Sequence, residues 1–189
     1  MQTDALTGGF DNAPVQSAKG FRAALNALSR PGHIEVIEGA VAPAPVSAAA
    51  ATLMLVLCDA ETPIYLAEGF DTDVLREWIA FHIGAPIAEP SDAAFALGHW
   101  ADLMPLSQFP IGTPEYPDRS TTLIVEVETL SQEGCRLTGP GIREAAFLNL
   151  PDPTAFRDNR VLFPQGLDFF LTCENRLAGV PRSTIVEVS

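Results

Sequence analysis

The first part of the chain carries apolar residues at helical spacing. Asn12 followed by Pro14 predicts the start of a helix, and Pro31-Gly32 predicts its end. Five apolar residues between these signals recur every three or four positions, so this helix is predicted to have one apolar face. They are Val15, Ala18, Phe21, Leu25 and Leu28.

Further helices are predicted along the chain. Residues 47–59 are apolar nearly all round, which is typical of a helix at the centre of a protein. Asp71 is a suitable N-cap for an amphipathic helix that Gly84 ends. Another helix is predicted over residues 153–162.

Short runs of apolar and β-branched residues mark the strands. They cover residues 34–36, 63–67, 94–97, 121–127, 135–138, 167–172, 177–181 and 185–188. The turn at 131–134 predicts a hairpin between the fourth and fifth of these strands, and the turn at 173–176 predicts a second hairpin. Helices alternate with strands early and hairpins come late. The pattern therefore predicts a single α/β domain over residues 1–189, with a mixed sheet sandwiched by helices.

Residues 105–118 interrupt this pattern with four prolines and a glycine. Such a long irregular loop is unusual in a compact domain, and loops of this kind often carry function or contact partners. We therefore expect the loop to offer a surface to another protein.

The amino-acid composition indicates which partners and which cellular compartment to expect. The net charge of −13 repels phosphates and anionic lipids, so neither nucleic acid nor a membrane is expected as a direct partner. Hydrophobic residues make up 47% of the chain and charged residues 19%, which leaves apolar surface for self-association as a homodimer. Three widely spaced cysteines predict free thiols, and residues 1–9 do not resemble a signal peptide. A cytoplasmic protein is expected.

Motifs that carry chemistry are missing from the sequence. His33, His82 and His99 fall on separate elements without metal-ligand spacing, so no metal site is predicted. There is no glycine-rich nucleotide motif and no nucleophile elbow. Lys19 is the sole lysine and lies early in a helix, which argues against Schiff-base chemistry with pyridoxal phosphate. The sequence therefore predicts no catalytic residue and no cofactor.

An anion site is the remaining candidate. The Gly139-Pro140-Gly141 turn can direct backbone N–H groups at a phosphate, although an ordinary turn explains it as well. Arg182, beside Ser183 and Thr184, can bind an anion or cap the neighbouring chain. The candidate anion-binding residues are Arg22, Gly139, Gly141 and Arg182.

Seven groups of short motifs occur in a fixed order over nearly the whole chain. They are Phe21-Arg22 with Ser29-Arg30-Pro31-Gly32, Leu55-Val56-Leu57-Cys58-Asp59 with Thr62-Pro63, Phe81-His82 with Ala85-Pro86, Gly112-Thr113-Pro114-Glu115, Leu137-Thr138-Gly139-Pro140-Gly141-Ile142, Phe163-Pro164-Gln165-Gly166-Leu167-Asp168, and Pro181-Arg182-Ser183-Thr184. Together they resemble the H subunit of the bacterial carbon–phosphorus lyase system, which degrades phosphonates. The chain departs from that pattern at Ile83 and Ser183, where threonine is expected.

The resemblance implies a role in the first committed step of phosphonate catabolism. In that step the ribose 5-triphosphate of ATP is transferred to methylphosphonate and adenine is released. The H subunit is required for this synthase reaction, whereas the I subunit is credited with the chemistry. The resemblance also implies other carbon–phosphorus lyase subunits as partners, a homodimer in isolation, and a fold similar to the large domain of pyridoxal-phosphate-dependent transferases without the cofactor. It implies no catalytic residue.

Two functions remain open at this point. The chain is either an accessory subunit that organises catalytic partners, or a nucleotide- or phosphonate-binding subunit with its own anion site. The absence of any nucleophile–base or metal spacing favours the accessory role, and the chain is not expected to be catalytic alone.

Overall fold

A computed structural model describes residues 7–37 and 39–187. The helices are α1 (Ala13–Ser29), α2 (Ala48–Leu57), α3 (Asp73–His82) and α4 (Pro153–Val161). The strands are β1 (Ile34–Val36), β2 (Ile64–Leu66), β3 (Phe95–His99), β4 (Thr122–Glu126), β5 (Cys135–Thr138), β6 (Ala146–Leu148), β7 (Asp168–Cys173), β8 (Arg176–Val180) and β9 (Ile185–Glu187). The predicted helices and strands are therefore present within a few residues of their predicted bounds, and β6 is an addition.

A six-stranded mixed sheet forms the centre of the protein. Its order is β1-β8-β7-β4-β3-β2, and the four strands β2, β3, β4 and β7 run parallel. β8 is antiparallel to both of its neighbours, and its pairing with β7 confirms the second predicted hairpin. A separate antiparallel sheet has the order β6-β5-β9.

Helices cover both faces of the large sheet. On one face, residues of α1, α2 and α3 pack against sheet residues that include Ile124 and Phe170. On the other face, Leu123 and Phe169 pack with Phe156 of α4 and with residues of the small sheet. This arrangement confirms the predicted α/β architecture of a mixed sheet between helices.

The predicted hairpin between β4 and β5 is wrong. β4 pairs with β3 on one side and β7 on the other, whereas β5 belongs to the small sheet. Leu123, Ile124 and Val125 are all fully buried, so both faces of β4 lie within the core. A continuous apolar run of this kind is typical of an interior parallel strand, which leaves no free edge for a hairpin partner.

The apolar face predicted for α1 is largely exposed. Val15, Phe21 and Leu25 are 48%, 48% and 54% exposed, whereas small residues face the core. These are Gly20, Ala23, Ala24 and Ala27. A Cβ built on Gly179 of β8 would lie 2.7 Å from the backbone of Ala27. Because α1 approaches the sheet this closely, its contact surface accommodates small side chains and turns the larger ones outward.

The start of α3 differs by one residue from the prediction. The Thr72 hydroxyl accepts a hydrogen bond from the Leu75 N–H at 3.2 Å, so Thr72 is the N-cap. Asp71 instead accepts from the Arg76 guanidinium, with Nη2 at 2.7 Å from Oδ2. No helix in the described ranges is long and apolar enough to cross a membrane.

Candidate functional site

The Gly139-Pro140-Gly141 turn, a candidate anion-binding feature and called the glycine turn below, lies against the end of α1. The Ile142 N–H donates to the Gly139 oxygen at 3.1 Å and closes the turn. Gly141 has φ of +83°, and a Cβ there would be 2.0 Å from the Ser29 oxygen. Glycine is therefore needed at this position for both conformation and space. The contact joins two of the motifs that are far apart in the sequence.

Arg182 has its polar partners inside the protein. Its guanidinium forms an ion pair with Asp168 at 2.5 Å and donates to the Pro117 oxygen and the Ser120 hydroxyl. The Arg182 backbone N–H also donates to Asp168 at 2.8 Å. The side chain is 13% exposed. Arg182 therefore ties the end of the proline-rich loop to β7, and its guanidinium is engaged within the fold.

The four predicted anion-binding residues are not gathered into one visible cleft. Arg22 is exposed on α1, and its guanidinium has no hydrogen bond or ion pair to any described residue. A cleft beside the glycine turn is lined by Gly141 but by neither Arg22 nor Arg182.

Two arginines that the sequence analysis did not select do line this cleft. They are Arg30, which follows α1, and Arg143, which follows the glycine turn. We call the cleft formed by Arg30, His33, Gln132, Gly141 and Arg143 the basic cleft; its volume is about 240 Å³. A signal for both arginines was present, because Arg30 lies within a motif that carried the family resemblance and Arg143 directly follows another.

A second cleft lies at the carboxyl ends of β3 and β4. Its volume is about 400 Å³, and its polar lining includes His99, Glu126, Glu128 and Asn149 beside Trp100. Ligands of α/β proteins commonly bind outside the carboxyl ends of parallel strands. We call it the strand-end pocket. His99 Nδ1 lies 3.2 Å from the Glu126 backbone oxygen.

The carboxylate of Glu126 joins the sheet to α2. It is 7% exposed and accepts from the Ser47 N–H at 2.7 Å and from the Thr172 hydroxyl at 3.0 Å. Burial raises the pKa of Glu126, and the hydrogen bonds from Ser47 and Thr172 lower it only in part. Since Ser47 is the N-cap of α2, the carboxylate stabilises the start of that helix.

The raised pKa of Glu126 gives a pH-dependent stability. Because the folded state binds its proton more tightly, the stability this group contributes is present at low pH and falls as pH rises above the ordinary pKa of 4.5. Glu126→Gln keeps an acceptor for Ser47 without a charge. The variant is expected to gain stability relative to the wild type as pH rises from about 4.5 toward neutrality.

Urea unfolding between about pH 4.5 and pH 7.5 measures this difference. Glu128→Gln is the matched control, because Glu128 is the exposed neighbouring carboxylate in the same pocket. A difference between Glu126→Gln and the wild type that does not change with pH would contradict the assignment.

The described residues offer little for covalent or metal chemistry. Within residues 7–37 and 39–187, no group of three or more metal-ligating side chains is close enough to hold an ion. Cys58 and Cys173 are buried and Cys135 is partly buried, and the three thiols are free. Burial, with the nearby Asp59 charge as a smaller cause, raises the pKa of Cys58 to about 12, so this thiol is unreactive near neutral pH.

Comparison with known proteins gives a consistent result over the whole described chain. Residues 8–187 match the model of a family described as bacterial phosphonate metabolism protein (PhnH). A protein of Rhizobium meliloti (strain 1021) is 37% identical over 198 aligned positions, which cover 98% of each chain. That protein is named alpha-D-ribose 1-methylphosphonate 5-triphosphate synthase subunit PhnH. The chain therefore belongs to the PhnH family of bacterial phosphonate metabolism proteins.

Proposed function

We propose that the chain is an accessory subunit of the carbon–phosphorus lyase core complex. In this role it is required to form ribose 1-methylphosphonate 5-triphosphate from ATP and methylphosphonate, in the cytoplasm. The observation that carries the proposal is the similarity to the Rhizobium meliloti synthase subunit over 98% of both chains. Other subunits of the same system are the proposed partners.

The distribution of chemical groups supports an accessory role. Triphosphate transfer needs cationic or metal groups that stabilise the developing charge. Among the described residues no metal cluster supplies this, and the guanidinium of Arg182 is used within the fold. The chain is therefore proposed to support catalysis by a partner subunit.

The outer surface offers regions for assembly. Phe21 and Leu25 of α1 are about half exposed, and α1 contains no acidic residue although the chain has a net charge of −13. Tyr116, at the tip of the proline-rich loop, is 51% exposed. We propose that the isolated chain covers its apolar surface as a homodimer.

We also propose that this single domain is related to the large domain of pyridoxal-phosphate-dependent transferases and has no pyridoxal phosphate. The parallel strands between helices are compatible with that relation. Lys19 lies exposed on α1 rather than in a buried pocket, so it is poorly placed for Schiff-base chemistry.

Genetic complementation tests the subunit role most directly. A strain without its own copy of this subunit is expected to lose growth on methylphosphonate and to regain it when this chain is supplied. Purified alone, even with added metal, the chain is expected to release no adenine from ATP and methylphosphonate, whereas the reconstituted complex does.

The control is a strain fed with inorganic phosphate, which should grow with or without the chain. Adenine release by the lone chain at the rate of the complex would contradict the accessory role. Failure of the chain to associate with any other subunit of the system would contradict the proposed partnership.

A further inference from the structure

The basic cleft is a local exception on an acidic protein. The chain has 24 acidic residues and 11 lysines and arginines. In contrast, the cleft lining contains Arg30, His33 and Arg143, and no carboxylate of a described residue lines it. The strand-end pocket, by comparison, includes Glu126 and Glu128. The cleft therefore places two arginines together without a lining carboxylate.

The two arginines of the cleft are not used in the fold. Both are exposed, and neither guanidinium makes a hydrogen bond or an ion pair with another residue that the structure describes. Other arginines in the described ranges do pair with carboxylates, namely Arg76, Arg136, Arg157 and Arg182. The guanidinium groups of Arg30 and Arg143 are thus available to an external anion.

The backbone that carries these arginines is held in place. The Gln132 side-chain amide donates to the Gly32 oxygen at 2.9 Å, and the His33 N–H donates to the Arg30 oxygen at 3.0 Å. Gly32 has φ of +86°, and a Cβ there would lie 2.6 Å from the Ala146 Cβ. The close fit of the Gly32 and Gly141 turns fixes the two arginine-bearing segments relative to each other. Such preorganisation lowers the entropy cost of binding.

The side walls of the cleft add further polar groups. His33 Nε2 lies 3.3 Å from a carboxylate oxygen of Glu35, which orients the ring at the cleft edge.

The planar guanidinium group suits the paired oxygens of a phosphate or phosphonate, to which it donates two parallel hydrogen bonds. A volume of about 240 Å³ accommodates a small oxyanion or a short phosphate chain rather than a whole nucleotide.

We infer that the basic cleft binds a phosphoryl or phosphonyl oxyanion through Arg30 and Arg143. The inference rests on the proposed function and adds to it a ligand-binding role for this subunit. The shared chemistry is a tetrahedral phosphorus centre with at least two charged oxygens. Two sources of that chemistry are tested separately, a phosphate chain and a phosphonate.

Calorimetric titration of the full chain tests the inference. Inorganic triphosphate and methylphosphonate are the two probes, each added at fixed ionic strength because salt weakens such contacts. We expect saturable binding of at least one probe. Arg30→Gln and Arg143→Gln are each expected to weaken it roughly tenfold, since each removes charge-assisted hydrogen bonds. The double variant is expected to abolish it.

Arg157→Gln is the matched control. Arg157 is an exposed arginine of α4 outside the cleft lining, and its loss should leave anion binding unchanged. Far-ultraviolet circular dichroism should show that all variants fold. Absence of saturable binding to both probes would overturn the inference, as would equal weakening in the control.

Copurification with partner subunits separates this inference from the proposed function. The double variant is expected to associate with them as the wild type does while losing the anion. If it loses its partners and keeps the anion, the cleft is a protein contact and the inference fails, although the subunit role stands. If the wild-type chain binds the anion but has no partners, the proposed function fails and the site remains.

Discussion

Replacing Arg182 with methionine is expected to lower the free energy of unfolding by about 3–5 kcal/mol. The substitution leaves the Asp168 carboxylate, which is 22% exposed, without its guanidinium at 2.5 Å. It also removes the donors to the Pro117 oxygen and the Ser120 hydroxyl, so the end of the proline-rich loop loses its attachment to β7. Urea unfolding at neutral pH measures the loss.

Arg136→Met is the control for the loss of an arginine. Arg136 pairs with Glu187 at the surface, where both side chains are nearly half exposed, and its removal should cost less than about 1 kcal/mol. Adding Asp168→Leu to Arg182→Met should recover part of the lost stability, because no unpaired charge then remains. Equal destabilisation by Arg182→Met and Arg136→Met would show that the partly buried Arg182 network contributes no more than a surface pair.

Gly179→Ala is expected to destabilise the fold by about 1–3 kcal/mol or more. The new Cβ would lie 2.7 Å from the backbone atoms of Ala27 and Leu28 in α1. Backbone atoms cannot rotate away as a flexible side chain can, so the whole helix must shift from the sheet. Because Arg30 follows α1 directly, the shift should also weaken anion binding in the basic cleft.

Gly69→Ala is the matched control for this substitution. The nearest heavy atom to a Cβ at Gly69 is Asp102 Oδ2 at 4.0 Å, so the methyl group has space. The expected change in unfolding free energy is within about 0.5 kcal/mol. Thermal unfolding followed by circular dichroism compares the two variants, and a stable Gly179→Ala protein would mean that α1 tolerates displacement.

Local signals in the sequence were sufficient to predict most elements of the fold. The β7–β8 hairpin and the central helix α2 were predicted because short-range turn residues and an all-round apolar pattern determine them. The β4–β5 pairing was wrong because a turn at 131–134 does not reveal that both edges of β4 are occupied by distant strands. Pairing between strands far apart in the chain leaves no local signal.

The candidate site was predictable only in part. The Gly139–Gly141 turn was selected as a candidate anion-binding feature, and Gly141 lines the basic cleft, but the arginines of that cleft were not selected. Arg30 and Arg143 line one cleft because the turns that contain Gly32 and Gly141 pack closely in the folded chain. That packing depends on the two glycines, and the positions of the arginines in the sequence do not reveal it. Arg182 looked available in sequence because Asp168, its partner, could not be inferred from position alone.

In α1 the small residues face the core and several larger apolar residues face outward, and this affects which substitutions the helix tolerates. Its buried positions hold only glycine and alanine, so larger residues are poorly tolerated there. Phe21 and Leu25 on its outer side are about half exposed, so they are less constrained by packing within this chain. Redesign for solubility that replaces these outer apolar residues is therefore expected to cost the monomer less stability than changes at the buried positions, while it removes the surface proposed for assembly. The positions of α1 that tolerate substitution in the isolated chain are thus a better guide to the surface that binds partners than the hydrophobic pattern of the helix.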